Sequence, residues 1–239
     1  PKYLLRKCAE VEAPLLYASP TLLATVAMLT PEERPLHAAM TSGTLLQRNW
    51  FDGIRKKVRH LHQQYGCSEA GCISLGEDID EPNQLGRPLP HIELVAGSSA
   101  DEPGEIIARS TEGRTIATRD LGYLADGHLH FVSRLDDMIN VSGLNVYPSE
   151  VEEVVLELPD VTEAVVYKRR HGFGSDQVSL RFVAARTLAP EHVREWCSAR
   201  LASHQVPMHV TQVPTIPKLP NGKTSRNALA EADARGEFS

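Results

Sequence analysis

The sequence predicts a mixed chain of two parts, an α/β first part and a smaller α+β second part. Three observations predict it. Helix-period and strand-like runs alternate as far as Tyr65. Short strands separated by turn dipeptides fill residues 85–132. After Arg134 strand and helix patterns alternate again over about 100 residues, enough for a small domain. The expected boundary therefore follows Arg134, giving domains 1–134 and 135–239.

The elements follow in order. Residues 18–29 predict a helix: Ser19 suits the cap, Pro20 the first turn, and Leu22, Leu23, Val26 and Leu29 fall near helical spacing. Residues 36–40 predict a strand ending in Thr41-Ser42-Gly43, and residues 45–57 a second helix. Residues 58–64 alternate as a strand that delivers Tyr65-Gly66-Cys67-Ser68-Glu69. Strands at 91–95 and 105–108 flank a Pro103-Gly104 turn. Residues 122–132 predict a hairpin turned by Asp126-Gly127, a pair that accepts positive φ cheaply. Two short strands, 138–141 and 144–147, surround Ser142-Gly143. Ser149 is expected to open a helix, with Glu152 completing a capping box and Val151, Val154, Val155 and Leu158 on one face. Strands at 161–168 and 177–184, a helix at 190–201 burying Val193, Trp196, Cys197 and Leu201, and a strand at 209–213 complete the pattern. A Pro/Gly-rich loop then leads to Lys223.

Composition narrows the function classes. Hydrophobic residues make up 41% and charged residues 23%, the balance of a soluble globular chain. With 25 Lys plus Arg against 31 Asp plus Glu, the net charge of −6 argues against a general nucleic-acid binder. No apolar run reaches the roughly 18–20 residues that span a bilayer, and no basic segment precedes an apolar one as in a signal peptide. The four cysteines, Cys8, Cys67, Cys72 and Cys197, form no C-x-x-C pair, so reduced thiols and a cytoplasmic location are expected. His60/His62 and His128/His130 each share a strand face, but with no set of carboxylates or cysteines beside them in sequence they read as ordinary histidines rather than metal ligands. Pro1 is not preceded by Met, so sequence upstream is expected.

Four segments carry residue types suited to chemistry. Tyr65 to Glu69 joins an aromatic ring, a glycine turn, a hydroxyl and a carboxylate, a set able to stack a base, donate to a phosphate and hold Mg2+. Thr118-Arg119-Asp120 is expected at a strand end, where a carboxylate can accept ribose hydroxyls. Arg134-Leu135-Asp136-Asp137 lies at the boundary. In the run from Pro217 to Lys223 two prolines and Asn221-Gly222 restrict the backbone of a lysine-bearing loop. Taken singly each is weak, and the first two are better read as an ordinary strand-end loop and a solvated turn, with a surface ion pair and a solvated tail lysine the plain readings of the others.

In this order and spacing they resemble the later motifs of the adenylate-forming superfamily: acyl-CoA synthetases, adenylation domains and luciferases. The family's Y-G-x-T-E is similar to Tyr65 through Glu69, its L-G-x-P to Leu85-Gly86-Arg87-Pro88, and its G-E-[IL] to Gly104-Glu105-Ile106. Its T-G-D and later D-G are similar to Thr118 through Asp120 and to Asp126-Gly127. Its long G-R-x-D-D pattern is similar to the run from Ser133 to Glu152, and its P-x-x-x-x-G-K to the loop ending at Lys223, with Arg226 just after. The resemblance covers nearly the whole chain.

It implies the distal part of a large N-terminal domain, with mixed sheets and a small β-barrel-like subdomain, followed by a mobile α+β C-terminal domain. It implies an ATP-dependent acid–thiol ligase that forms an acyl-adenylate and then an acyl thioester, with ATP, Mg2+ and CoA or phosphopantetheine. By motif, Tyr65 stacks on adenine, Ser68 contacts the α-phosphate, Glu69 holds the metal, and Asp120 and Arg134 bind the ribose. Asp136 is the hinge, Gly143 borders the thiol channel, and Lys223 bridges the acid carboxylate and α-phosphate. Gly43, Ala70, Gly71 and Cys72 line the acid pocket, small enough for a medium acyl chain or an aryl acid. Arg119 and Ser133 stand where the family has Gly, Ser68 where it has Thr, and Asn140 where many members have Lys. The Ser/Thr/Gly-rich phosphate loop does not precede Tyr65; Thr41-Ser42-Gly43-Thr44 lies elsewhere and lacks the lysine. The chain is therefore expected to need an N-terminal half, as a fragment, a processed piece or one part of a split enzyme. Val141 through Pro148 looks more like CoA ligases; loading of a carrier protein is the second reading, and a non-catalytic interaction module the third.

Overall fold

Strand–helix alternation at the start of the chain produces parallel strands, because a helical crossover returns the chain to the same end of the sheet. In the computed structural model, which describes residues 1–170, 176–219 and 224–236, helix α1 (Lys2–Ala9) leads to strand β1 (Leu15–Ala18), helix α2 (Pro20–Leu29), β2 (Leu36–Thr41), α3 (Arg48–Arg55) and β3 (Val58–Cys67). Strands β1, β2 and β3 are parallel neighbours. Ser19 caps α2, its side chain accepting from the Leu22 amide, and Pro20 sits at the first turn as the sequence predicts. The second helix is shorter than the expected 45–57: Gln47 is still extended, and Leu46 is drawn fully into the core. Leu23, Val26, Phe51, Ile54 and Leu61 form that core between α2, α3 and the sheet.

The sheet then turns antiparallel. Strands β4 (Gly71–Gly76), β5 (Gln84–Pro88), β6 (Ile92–Val95), β7 (Gly104–Ser110), β8 (Thr115–Ala125) and β9 (His128–Arg134) complete a nine-stranded sheet in the order β1-β2-β3-β4-β5-β9-β8-β7-β6. The hairpin between β8 and β9 turns at Asp126 and Gly127, with φ of 52° and 76°, the paired positive values of a two-residue hairpin turn. Gly86 occupies β5 because a side chain there would meet the Gly76 backbone at 2.2 Å, at a φ of +77°.

Thr118-Arg119-Asp120 lies inside β8 rather than at a strand end. It forms a bulge against β7, where the pairing slips between Glu105 and Ile107. Arg119 takes the left-handed φ of 61°. Its amide is met by the Glu105 carboxylate at 3.0 Å, and the Asp120 amide by the Thr118 hydroxyl at 3.2 Å. The Thr118 hydroxyl in turn donates to the Ile106 carbonyl at 2.8 Å.

The chain divides into two units, residues 1–132 and 133–239. In the second, β10 (Ile139–Val141) and β11 (Leu144–Val146) form an antiparallel pair. Helix α4 (Pro148–Leu156), β12 (Val161–Arg170), β13 (Asp176–Ala184), helix α5 (Pro190–Ser198), β14 (His209–Gln212) and helix α6 (Arg226–Ala234) follow. Strands β12, β13 and β14 make one sheet, β12 antiparallel and β14 parallel to β13. The run Ala164-Val165-Val166-Tyr167 is apolar throughout because β12 is covered on both faces. Ala164 and Val166 pack with Val151, Val155, Phe182, Val193 and Cys197; Val165 and Tyr167 pack with Ile216 and Leu229.

The expected capping box does not form. Pro148 begins α4 one residue earlier, with Tyr147 extended at the cap and no side-chain cap bond. Glu152 is buried and accepts instead from the Val166 amide at 2.8 Å. Among the described residues no helix is long and apolar enough to cross a membrane.

The bulge gives a stability prediction. Arg119→Gly removes a left-handed strain of about 1 kcal/mol, offset in part by the greater freedom of Gly in the unfolded chain. The thermal midpoint, followed by circular dichroism, is expected to rise by about 1–2 °C, whereas Arg119→Ala keeps the strain and gives no rise.

Candidate active site

The sequence-predicted residues of the first unit gather at one edge of the sheet. Strands β2 and β3 run in parallel, with Thr41 opposite Gln63, so Gly43 and Tyr65 each lie two residues beyond that pair. This is the carboxyl edge of parallel strands, at the point where β3 hands the sheet over to antiparallel pairing. Open α/β sheets bind ligands at such edges.

Tyr65 packs with Ile73, Leu85, Ile106 and Leu129. Its hydroxyl donates to Asp120 Oδ2 at 2.9 Å. Burial, and after it the Asp120 charge, push the phenol far above its ordinary pKa, so it stays a donor. Two residues read separately from sequence, 55 positions apart, are thus one hydrogen-bonded pair. The Thr118 hydroxyl fixes the Asp120 backbone.

Ser68, Glu69 and Ala70 form the three-residue tip between β3 and β4, closed by the Ala70 amide on the Cys67 carbonyl at 3.3 Å. Gly71 follows at a φ of +70°, the left-handed position of such a hairpin. A side chain at Gly66 would lie 2.0 Å from the Gly71 carbonyl oxygen, so the glycine of the motif is sterically required. Ser68 and Glu69 are exposed. Among the expected pocket residues, Ala70, Gly71 and Cys72 are contiguous on this hairpin, and Gly43 is exposed beyond β2. Burial raises the Cys67 and Cys72 thiols above their ordinary pKa, as for unreactive cysteines.

A cavity of about 500 Å³ opens elsewhere, lined by Leu5, Cys8, Thr30, Arg34 and His37, none of them a predicted site residue. His60 is paired with Asp78 at 2.9 Å and its ring stacks on His62. A carboxylate therefore does lie beside this histidine pair, although sequence spacing hides it. Among the described residues no group of three His, Cys, Asp or Glu side chains could hold a metal ion.

In the second unit, Asp136 and Asp137 sit in the turn closed by the Asp137 and Met138 amides on the Arg134 carbonyl. Lys168 Nζ donates to the Asp136 carbonyl at 3.2 Å. Gly143 and Ser142 turn the β10–β11 hairpin with φ of 91° and 53°. Asn140 supports that turn: its side-chain oxygen accepts from the Gly143 amide at 3.0 Å and its nitrogen donates to Asn145 at 3.2 Å. The substitution of Asn for the family's Lys thus has a local structural role.

Lys223 lies outside the described residues. Lys218 before it pairs with Glu163 of β12 at 2.8 Å. Arg226 after it donates through Nε to the Val166 carbonyl at 2.9 Å, through Nη1 to Asp137 at 2.9 Å, and through Nη2 to both Glu152 oxygens at 2.8 Å. Burial opposes the Arg226 charge, but the Glu152 and Asp137 carboxylates outweigh it and raise its pKa further. Burial likewise raises the Glu152 carboxyl above its ordinary value, against the pull of Arg226 and the Val166 amide. Sequence reasoning missed Glu105, Thr118, Asp137 and Glu152 as supports. For Glu152 a signal exists: a carboxylate adjoining the buried Val151 and Val155 face of an amphipathic helix.

Residues 150–223 match the model of the AMP-binding enzyme C-terminal domain. The 3,4-dihydroxybenzoate–[aryl-carrier protein] ligase of Bacillus anthracis is 40% identical over 229 residues, covering 96% of this chain and 55% of that protein. The 2-succinylbenzoate–CoA ligase of Lactococcus lactis is 28% identical over 228 residues, covering 88% and 50%. Among solved structures, the amide bond synthetase McbA of Marinactinospora thermotolerans superposes with a TM-score of 0.76 at 26% identity, covering 91% of this chain and 51% of that one. The chain spans about half the length of these relatives. It belongs to the adenylate-forming superfamily and corresponds to the C-terminal portion of those enzymes.

Proposed function

We propose that the chain supplies the ribose-binding edge, the hinge and the lysine-bearing C-terminal domain of an ATP-dependent ligase that joins an aryl acid to a thiol. The observation that carries this reading is the Tyr65–Asp120 pair at the carboxyl edge of the sheet, beside the hairpin bearing Ser68 and Glu69. The remaining phosphate contacts belong to the N-terminal portion of the enzyme.

In the first half-reaction an acid oxygen attacks the α-phosphorus of ATP, the bond to pyrophosphate breaks, and an acyl-adenylate forms. Asp120 accepts the ribose hydroxyls with Arg134 assisting, and the hydroxyl of Ser68 donates to the α-phosphate. Tyr65 gives adenine one face of its ring and keeps the Asp120 carboxylate oriented. Mg2+ neutralises phosphate charge when bound. Glu69, exposed at the hairpin tip, would hold it, since Mg2+ takes one or two protein carboxylates and draws its other ligands from phosphate and water. Lys223 reduces the repulsion between two approaching anions. In the second half-reaction a thiol sulfur attacks the acyl carbon and AMP leaves. The domain turns about Asp136, and the Gly143 hairpin borders the pantetheine arm, where the absence of a side chain lets the arm pass.

The acceptor is a carrier-protein phosphopantetheine on the strength of the 40% identical relative, whose own substrate is a dihydroxybenzoate and whose acceptor is an aryl-carrier protein. The small residues Gly43, Ala70, Gly71 and Cys72 suit an aromatic acid. Free CoA is the second reading, favoured by the run from Val141 to Pro148 and by the CoA ligase relative. Thioester formation with benzoate-type acids, offered CoA and an aryl-carrier protein in parallel, decides between them. Failure with both, in the presence of the N-terminal portion, would leave a non-catalytic module.

Two substitutions separate the half-reactions. With the N-terminal portion present, Lys223→Ala is expected to lower acid-dependent pyrophosphate exchange by on the order of 10²–10³, while transfer from a supplied acyl-adenylate persists. Gly143→Ala and Gly143→Trp carry the same left-handed strain, so comparing them isolates bulk. Gly143→Trp is expected to spare exchange and abolish thioester formation, with Gly143→Ala close to wild type in both.

A further inference from the structure

The Arg226 side chain joins four separate segments of the second unit. Its bonds reach the Val166 carbonyl on β12, Asp137 in the turn after β9, and both oxygens of Glu152 on α4. It does so from the first residue of α6, whose cap is the Ser225 side chain accepting from the Ala228 amide at 3.2 Å. Its three nitrogens each serve a different group, Nε the Val166 carbonyl, Nη1 Asp137 and Nη2 both Glu152 oxygens, a planar array that a lysine ammonium does not reproduce. Buried ion clusters of this kind are weak devices for stability alone, because apolar residues of similar volume commonly do as well. What this one specifies is register: it fixes where the chain re-enters the fold three residues after Lys223.

Three residues of extended chain reach at most about 10–11 Å. Arg226 follows Lys223 by only three residues in the sequence. Upstream, Lys218 is paired with Glu163, three residues from Val166 on the same strand β12. Lys218 and Arg226, on either side of Lys223 in sequence, thus both contact β12, the first through an exposed ion pair and the second through the part-buried cluster. The downstream anchor is shared with Asp137, next to Asp136, whose carbonyl is held by Lys168.

We propose that Arg226 is a positioning residue for adenylation. Through its bonds to Glu152, Asp137 and the Val166 carbonyl it sets the place of Lys223 relative to the turn that carries Asp136. This rests on the reading of Lys223 as the adenylating lysine. Only the first half-reaction uses that lysine, so only the first half-reaction depends on the clasp.

The test uses the enzyme with its N-terminal portion present and five proteins: wild type, Arg226→Lys, Lys223→Ala, the double variant and Glu152→Gln. Arg226→Lys keeps the charge and loses the planar three-nitrogen array. A misplacement of about 1 Å costs on the order of 10²-fold in rate. Arg226→Lys is expected to lower kcat for acid-dependent pyrophosphate exchange by about 10–100-fold, with the KM for ATP and transfer from a supplied acyl-adenylate within about twofold of wild type. Because Arg226 acts through Lys223, the double variant is expected to be no worse than Lys223→Ala alone. Glu152→Gln, which retains one acceptor for Nη2, is expected to show a milder loss confined to the same half-reaction. Equal loss of both half-reactions in Arg226→Lys, or multiplicative losses in the double variant, would overturn the proposal and leave a purely structural clasp. Full exchange in Lys223→Ala would instead overturn the reading of the lysine on which it rests.

Discussion

Four segments of the second unit meet at one guanidinium. Helix α4, strand β12, the turn after β9 and helix α6 each meet Arg226, and each supplies a carbonyl, a carboxylate or the arginine itself. The apolar clusters hold α4 and α6 on opposite faces of the sheet but leave their sliding along it weakly determined, because hydrophobic contact is non-directional. A planar guanidinium whose nitrogens face a carbonyl and two carboxylates is directional. Removing one partner of such a part-buried set leaves charge without compensation. A second buried arginine repeats the device nearby: Arg181 donates to the Tyr167 hydroxyl at 3.0 Å and lies 3.5 Å from Asp233 of α6. Helix α6 is thus fastened near both of its ends by ionic contacts, with Leu229 as the apolar contact between them.

The first unit solves a different problem by related means. Asp120 must be presented from inside a sheet, where a regular strand would commit its amide to the ladder and its side chain to one face. The bulge at Arg119 frees the backbone, and two side chains, Glu105 and Thr118, take over the amides it releases. The Tyr65 hydroxyl then holds the carboxylate from the neighbouring core. A left-handed arginine is costly by about 1–2 kcal/mol relative to glycine-compatible geometry. The carboxylate of Glu105 on its amide offsets part of that cost. Local strain held by surrounding bonds is a common property of functional positions.

What could be read from the sequence was what local chemistry decides. Ser19-Pro20 starts a helix, Asp126-Gly127 and Ser142-Gly143 turn hairpins, and the apolar run of β12 marks a strand covered on both faces; each depends on neighbours a few residues away. The errors arose where a distant partner wins. Glu152 follows Ser149 by three residues, the spacing of a capping box, yet it bonds to an arginine 74 positions away. Strand β5 contains Gly86 and Pro88, poor strand formers, and forms because β4 and β9 flank it in the sheet. Thr118 through Asp120 read as a strand end because a bulge has no local signature. The site followed the same rule. Tyr65 and Asp120 were visible as residue types in motif order, but their hydrogen bond, and the roles of Glu105, Thr118, Asp137 and Glu152, exist only once the sheet brings distant segments together. Helix α6 is an exception that local rules could have found, with Ser225 as cap before an alanine-rich run.

The two loops assigned to the two half-reactions are fastened in different ways, and the difference follows from what each must do. The Gly143 hairpin is stabilised within itself: two positive φ values, antiparallel pairing of β10 with β11, and the Asn140 side chain closing the turn. It needs no distant residue because its proposed task is to present backbone beside a passing chain. The lysine-bearing segment is anchored instead at its ends, by Lys218 on Glu163 and by Arg226 on Glu152, Asp137 and β12. A lysine that meets two anions must be placed relative to the whole domain, and a local turn cannot specify that. Tying its anchor to Asp137 makes the turn after β9 part of the same fastening. In the proposed turn about Asp136 the lysine and the hairpin, both in the second unit, move together, so the two proposed tasks are exchanged by a single motion.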